Sequence, residues 1–229
     1  MSEPDIVGKI FGWVGTIIAT YFYISPVVPF YQVLTYKLDY SDSPGVLLIM
    51  SFMNCILWAC YGLRKDDFMV YFANGIGGSI TLIWITIYLI FLGKRNLGLA
   101  IGFNIGLIVI IAGIMLFCFK ILGTDLIGYI AMIFNVLMYA APGEKIYKVI
   151  TTKNYKLIPI FSTIGGLACS LSWLMYGIYQ KDWKLYVPNA LGLAFAVLQV
   201  VVYLIYYLKN KEKTPDFPGE NDDVVYSNN

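Results

Sequence analysis

Apolar residues run through this chain in seven long stretches, at roughly 8–36, 44–63, 68–92, 97–119, 124–143, 157–179 and 184–208. Each approaches or exceeds the ~20 residues a helix needs to cross the hydrocarbon core of a bilayer. Short polar breaks part them: Lys37 to Ser43, Arg64-Lys65-Asp66-Asp67, Gly93-Lys94-Arg95-Asn96, Lys120 with Gly123, Glu144 to Lys156, and Gln180-Lys181-Asp182. Backbone in lipid must satisfy its own hydrogen bonds, so stretches of this length and polarity are expected to be helices. The tail from Lys209 to Asn229 is polar, carries Pro215 and Pro218, and reads as a disordered cytoplasmic extension.

Composition agrees. Of 229 residues, 59% are hydrophobic and only 13% charged, where a soluble domain carries about a quarter charged residues to coat its surface. A net charge of +2 gives no reason to expect a nucleic-acid partner. There is no histidine, and Cys55, Cys60, Cys118 and Cys169 all lie in apolar runs without a CxxC pair. They read as small buried residues rather than as metal or redox chemistry, so no cofactor or metal is expected. No Asn-x-Ser/Thr sequon occurs. Met1 to Asp5 is acidic, unlike a cleaved signal peptide, so the first apolar run is expected to stay as a helix.

Basic residues orient the chain. One side collects Lys37, Lys94, Arg95, Lys145, Lys148, Lys153, Lys156, Lys209, Lys211 and Lys213, ten in all, and the other holds the remaining six of the 16. The positive-inside bias then puts the C-terminus in the cytoplasm and the N-terminus outside.

Self-similarity says more. At a shift of 116, Tyr23, Pro26, Tyr31, Val33, Thr35 and Lys37 match Tyr139, Pro142, Tyr147, Val149, Thr151 and Lys153. One residue is dropped in the following loop. At a shift of 115, Pro44, Tyr61, Gly62, Asp67, Tyr71, Asn74, Gly77 and Tyr88 then match Pro159, Tyr176, Gly177, Asp182, Tyr186, Asn189, Gly192 and Tyr203. Three spans are therefore repeated. An odd number of spans would invert a directly joined copy, so the fourth, at roughly 97–119, serves as the linker that returns the chain. The expected fold is an all-α membrane protein of seven transmembrane helices, with two parallel three-helix bundles over 8–92 and 124–208 joined by a linker helix (3+1+3). Parallel repeats about an axis along the membrane normal are a transporter arrangement, with the site at their interface.

The same motifs resemble the SWEET sugar transporters. The second triplet carries the likeness best, in MYAAPGEKIYKVITTKNYKLIPI, SWLMYG, KD and VPNALG with Gln199 and Tyr203; the first repeats it as ISPVVPF, NCILWACYG, KDD and FANG. The likeness covers about residues 8–208, and no Pro-Gln dipeptide points instead to the related PQ-loop carriers. The resemblance implies a facilitative, bidirectional sugar uniporter whose two triplets rock in alternating access. It implies a mono- or disaccharide as substrate and the lipid bilayer, first of all the plasma membrane, as surroundings. Homo-oligomerisation stays open.

Asn74 and Asn189 sit at matched depth in the third helix of each triplet. A carboxamide in hydrocarbon is costly unless bonded, and sugar hydroxyls both donate and accept; each amide could equally bond a neighbouring helix. Trp58 and Trp173, three residues before the matched Tyr-Gly, offer flat faces to the CH side of a sugar ring, or else act as interfacial anchors. The resemblance adds Phe22, Asn54, Met138 and Cys169 as further pocket-lining positions. It also makes Pro26, Pro44, Pro142 and Pro159 hinges of a cytoplasmic gate, although Pro44 and Pro159 also suit simple helix initiation. Tyr61, Tyr176, Asp67 and Asp182 stand near the outer mouth as a candidate opposite gate, with solvated loop charge as the alternative for the aspartates.

No Asp, Glu, Lys or Arg falls in the middle of a span. Ion-coupled carriers usually need an intramembrane carboxylate or histidine, so downhill movement is expected. Nor is there a base beside the Ser and Thr residues of the spans, so the chain does not read as an enzyme. A passive carrier or channel for another small polar solute remains an alternative. A seven-helix receptor fits less well, because it leaves the repeat unexplained.

Overall fold

The computed structural model describes residues 3–27, 31, 45–92 and 97–213. They form helices α1 (Glu3–Ile24), α2 (Gly45–Lys65), α3 (Phe68–Leu92), α4 (Leu97–Lys120), α5 (Thr124–Met138), α6 (Ala140–Thr152), α7 (Ile160–Tyr179) and α8 (Trp183–Lys213), with a 3-10 turn at Tyr155–Leu157. No strand occurs among the described residues. Six segments are long and apolar enough to cross a membrane: Ile6–Ile24, Leu47–Lys65, Phe68–Ile90, Thr124–Thr152, Ile160–Tyr179 and Trp183–Lys211. The fourth of these is α5 and α6 end to end. Helix α4 is the seventh element, 24 residues with Lys120 its one charge.

The break between α5 and α6 follows from Pro142. Proline lacks an N–H and its ring clashes with the carbonyl four residues back, which is that of Met138, where α5 stops. The helix resumes at Ala140 and runs through Glu144 to Thr152, where the polar pattern had suggested a loop after residue 143. Those polar residues are the solvent face of an amphipathic helix: Ile146 and Val149 are buried, while Lys148 pairs with Glu144 at 2.6 Å one turn away.

Both halves close their second helix onto their third by the same device. Asp66 and Lys181, equivalent at the 115-residue shift, take the left-handed conformation at φ 55° and 53°. The following aspartate N–H then bonds back to the matched glycine carbonyl, Asp67 to Gly62 at 2.8 Å and Asp182 to Gly177 at 2.9 Å. This is a Schellman ending. The same aspartates cap the next helix, since Asp67 Oδ1 accepts the Val70 N–H at 3.2 Å and Asp182 Oδ1 the Lys184 N–H at 3.1 Å.

The halves interlock crosswise. Helix α1 packs on α7 and α2 on α5, so the first helix of each triplet lies against the second helix of the other. Trp58, Tyr61, Met69, Ile127, Ala131, Tyr176 and Leu185 form the core of that interface. Helix α4 packs on α2 and α3, with Ile111 joining Leu48, Phe52 and Ile85 on the flank of the first half.

The matched glycines are close-approach points. A Cβ on Gly62 would lie 2.6 Å from the backbone nitrogen of Tyr71, and one on Gly177 2.8 Å from that of Tyr186. Gly177→Ala should therefore force α7 from α8 and lower stability by ~1–3 kcal/mol. Gly75→Ala, whose Cβ meets nothing within 4 Å, should be neutral or gain ~0.5–1 kcal/mol. Thermal unfolding of the purified variants checks both.

Candidate functional site

A cavity of about 440 Å³ lies between the halves. Its walls bring together all eight residues expected to line a site: Phe22, Asn54, Trp58 and Asn74 from the first half, and Met138, Cys169, Trp173 and Asn189 from the second. At the two repeat shifts these are four matched pairs, Phe22 with Met138 and Asn54 with Cys169 among them.

The paired carboxamides are held alike. Asn74 Nδ2 donates to the Val70 carbonyl at 2.8 Å, and Asn189 Nδ2 to the Leu185 carbonyl at 2.8 Å. Bonding one turn back along its own helix fixes each amide plane. Neither side chain forms another hydrogen bond among the described residues, so each keeps a carbonyl oxygen and a second N–H for a further partner. Asn54 is 8% exposed, and its Oδ1 is the one buried side-chain polar atom without a partner among the described residues. Cys169 in the matched position makes only a long contact to the Gly15 carbonyl, at 3.8 Å.

Trp58 is 4% exposed, which removes the reading of that residue as an anchor at the lipid interface. It meets Tyr61 edge-on at 5.5 Å and 88°, and Trp173 meets Tyr176 in the same way at 5.6 Å and 87°. The tryptophans thus form the cavity end nearest the α2–α3 and α7–α8 turns. At the other end Pro142, Pro159, Ser162 and Lys145 line the wall, and the last three are exposed. Pro26 lies in the turn after α1, and Pro159 is the N-cap of α7. Pro44 lies outside the described residues.

The tryptophan end is shut by bonds across the halves. Tyr61 donates its hydroxyl to Asp182 Oδ2 at 2.6 Å, and Tyr176 donates to Asp67 Oδ1 at 2.5 Å. Asp182 is 3% exposed and also takes the Lys65 ammonium at 2.7 Å. Gln180, the counterpart of Lys65, instead donates Nε2 to the Tyr176 hydroxyl at 2.9 Å. Lys65 acts on Asp67 only weakly, against its direct bond to Asp182. Burial raises the Asp67 carboxyl above the ordinary carboxylate range, and the bonds from Tyr176 and the Val70 N–H offset this only in part. A raised carboxyl favours its neutral form, so the contribution of this group to folding stability is fullest at low pH and falls as pH rises through the raised value. The aspartates are not free loop charges: each caps a helix and accepts from a phenol of the other half.

The sequence reading of the site passed over other lining residues, among them Tyr23, Tyr139, Asn135 and Gln199. The tyrosines were visible in the repeat but carried no assigned role. Asn135 matches Ala19 and Gln199 matches Trp84, so a search for paired polar residues passes over both.

A double-mutant cycle tests the crossed pairing. Tyr61→Phe with Asp182→Asn should show a coupling of ~1–3 kcal/mol in unfolding free energy. Tyr61→Phe with Asp67→Asn, which are not bonded to each other, should show a coupling near zero.

Comparisons with known proteins bear on the family and the fold. A family model described as "Sugar efflux transporter for intercellular exchange" matches twice, over residues 9–96 and 125–211. The chain is 31% identical over 219 residues to the bidirectional sugar transporter SWEET1 of Arabidopsis thaliana, covering 93% of this chain and 88% of that one. It is 32% identical over 217 residues to SWEET1a of Sorghum bicolor (91% and 79%) and 29% identical over 229 residues to SWEET7b of Oryza sativa subsp. japonica (95% and 86%). The fold matches the 3.7 Å structure of a eukaryotic SWEET transporter with a TM-score of 0.80 at 24% identity, over 90% of this chain and 100% of that one. With both triplets matched and relatives above 30% identity along most of its length, this chain belongs to the SWEET family of sugar transporters.

Proposed function

We infer that the protein carries sugars down their concentration gradient, exposing the central cavity first to one side of the membrane and then to the other. The observation that carries this is the cavity itself, walled by matched asparagines and tryptophans from both halves and bolted at one end by crossed tyrosine–aspartate bonds. A sugar ring has apolar CH faces and a rim of hydroxyls. Trp58 and Trp173 offer surfaces for the former, and the free amide groups of Asn74 and Asn189 offer donors and acceptors for the latter. The unpaired Asn54 Oδ1 would accept from one further hydroxyl. With the N-terminus outside, as the basic residues favour, the bolted end faces outward and the mouth at Lys145 faces the cytoplasm. The plasma membrane is the surrounding we favour.

The same walls argue for uncoupled movement. Among the described lining residues Lys145 is the one charged side chain, and it stands at the exposed mouth. A driving proton or cation needs a carboxylate or an imidazole at the site, and the described wall offers neither.

Radiolabelled sugar uptake in cells lacking their own carriers tests the reading. Uptake should stop at equal concentrations on the two sides. Asn74→Ala and Asn189→Ala should each cost ~1–3 kcal/mol of unpaired hydrogen bonding, a loss of ten- to a hundredfold in transport efficiency, with the protein still reaching the membrane. Accumulation above the external level, or normal sugar binding by purified protein lacking both asparagines, would contradict it.

A further inference from the structure

Each triplet carries a tyrosine three residues before the proline of its first helix, Tyr23 before Pro26 and Tyr139 before Pro142. Both rings are pressed onto a glycine of the third helix of the same half. A Cβ on Gly77 would overlap the Tyr23 ring, with Cζ 2.6 Å away. A Cβ on Gly192 would lie 2.5 Å from the Tyr139 hydroxyl oxygen and 2.9 Å from its Cζ. Gly77 is three residues beyond Asn74, and Gly192 three beyond Asn189. Spacing of three places each glycine one turn along the face that carries the carboxamide. The ring at the kink and the amide at the site thus share one stretch of helix, twice.

Further contacts tie the kink to that helix. In the first half the Trp84 indole N–H donates to the Tyr23 carbonyl at 2.8 Å, and the Cys55 thiol donates to the Tyr23 hydroxyl at 3.2 Å. In the second half the Tyr139 hydroxyl donates to the Pro188 carbonyl at 2.7 Å, and its ring stacks on Phe195 at 5.7 Å and 26°. Gln199, the counterpart of Trp84, donates to the Pro142 carbonyl at 3.5 Å. The chemistry differs between the halves, but the mechanical arrangement is the same.

We propose that these tyrosine–glycine sockets couple the proline kinks to the sugar-binding asparagines, with Tyr139 and Tyr23 as positioning residues. A kink alone is a soft point that transmits nothing. Packed protein interiors, by contrast, switch between discrete arrangements rather than deforming smoothly. At Gly192 there is no room for a methyl between ring and backbone, so a tilt of α6 about the Met138–Ala140 break must press on α8 beside Pro188 and Asn189. By the same contact, a sugar held on Asn189 favours one tilt over the other, which is the differential contact that a ligand needs to shift a conformational equilibrium. The proposal rests on the reading of the cavity as the sugar site.

The experiment uses the full-length protein in proteoliposomes, with radiolabelled glucose and sucrose as probes. Maximal exchange rates are measured beside equilibrium binding to the purified protein for Gly192→Ala, Gly77→Ala and Tyr139→Phe. Filling a socket should lower the maximal rate by about tenfold, the effect of ~1.4 kcal/mol on the barrier, while binding affinity stays within about twofold. Gly75→Ala, on the same helix as Gly77 but facing open space, should leave both unchanged. The proposal is overturned if folded Gly192→Ala exchanges at the wild-type rate, or if rate and affinity fall by the same factor, as they would were the socket only a wall of the site. Should the alanine variants fail to fold, Tyr139→Phe decides by the ratio of the two losses, because the hydroxyl it removes bonds Pro188, packs nearest Gly192 and also lines the cavity: a rate that falls further than affinity supports the socket, and equal losses overturn it. Asn189→Ala, run alongside, reports separately on the cavity: wild-type binding by that variant would sink the site assignment, while the sockets are still judged by the split between rate and affinity.

Discussion

Two phenol–carboxylate bonds, Tyr61 to Asp182 and Tyr176 to Asp67, cross the interface between the halves and hold one end of the bundle shut. Most of the geometry around the cavity follows from them. The tyrosines turn their rings toward the tryptophans, which become the floor of the cavity. The aspartates are fixed by their place between two helices, where the left-handed residues 66 and 181 turn the chain sharply enough for one carboxylate to cap α3 and the other α8. The bonds are partly desolvated, where a hydrogen bond is stronger than in water, yet they are few. A closure made of a few strong local bonds can be undone as a unit, whereas an extended apolar seam could not.

The halves share their turn geometry and their crosswise packing and are unequal in chemistry. Lys65 sits on Asp182 where Gln180 sits on Tyr176. Asn54 has Cys169 as its counterpart, Phe22 has Met138, and Asn135 has Ala19. A sugar has no two-fold axis, so under the proposed function a cavity with matched amides and unmatched neighbours would hold it in a defined orientation, on a scaffold in which both triplets could move alike. Helix α4 takes no part in the described cavity wall and packs on the flank of α2 and α3, as a connector should.

Much of this was legible before any coordinate. Seven apolar stretches and the repeat led to the 3+1+3 architecture, because the first rest on local composition and the second on a spacing that survives in one dimension. The eight expected lining residues line one cavity: Asn74, Asn189, Trp58 and Trp173 were marked by the repeat, and Phe22, Asn54, Met138 and Cys169 by the family resemblance. What was not legible depends on contacts between distant segments. The run Glu144 to Lys148 reads as a polar break, and becomes the wet face of α6 only once Ile146 and Val149 find Ile158 and Val202. Tyr23 and Tyr139 look like any matched aromatics until the third helix supplies a glycine beneath each. Gln199 and Asn135 lack polar partners at the repeat shift, so symmetry hides them. The aspartates could not be told from loop charges without knowing that the tyrosines reach them from the other half.

The central claim is that opening one end of the cavity requires closing the other. Spin labels on Leu63 and Ile178, matched exposed positions beside the bolted end, and on Leu47 and Phe161, exposed residues at the opposite ends of the same two helices, report the two ends separately. Double electron–electron resonance on the reconstituted protein, with and without a transported sugar, should give two populations in which a longer distance at one end accompanies a shorter one at the other. Distances that lengthen together, or stay single and unchanged through the whole titration, would contradict the account.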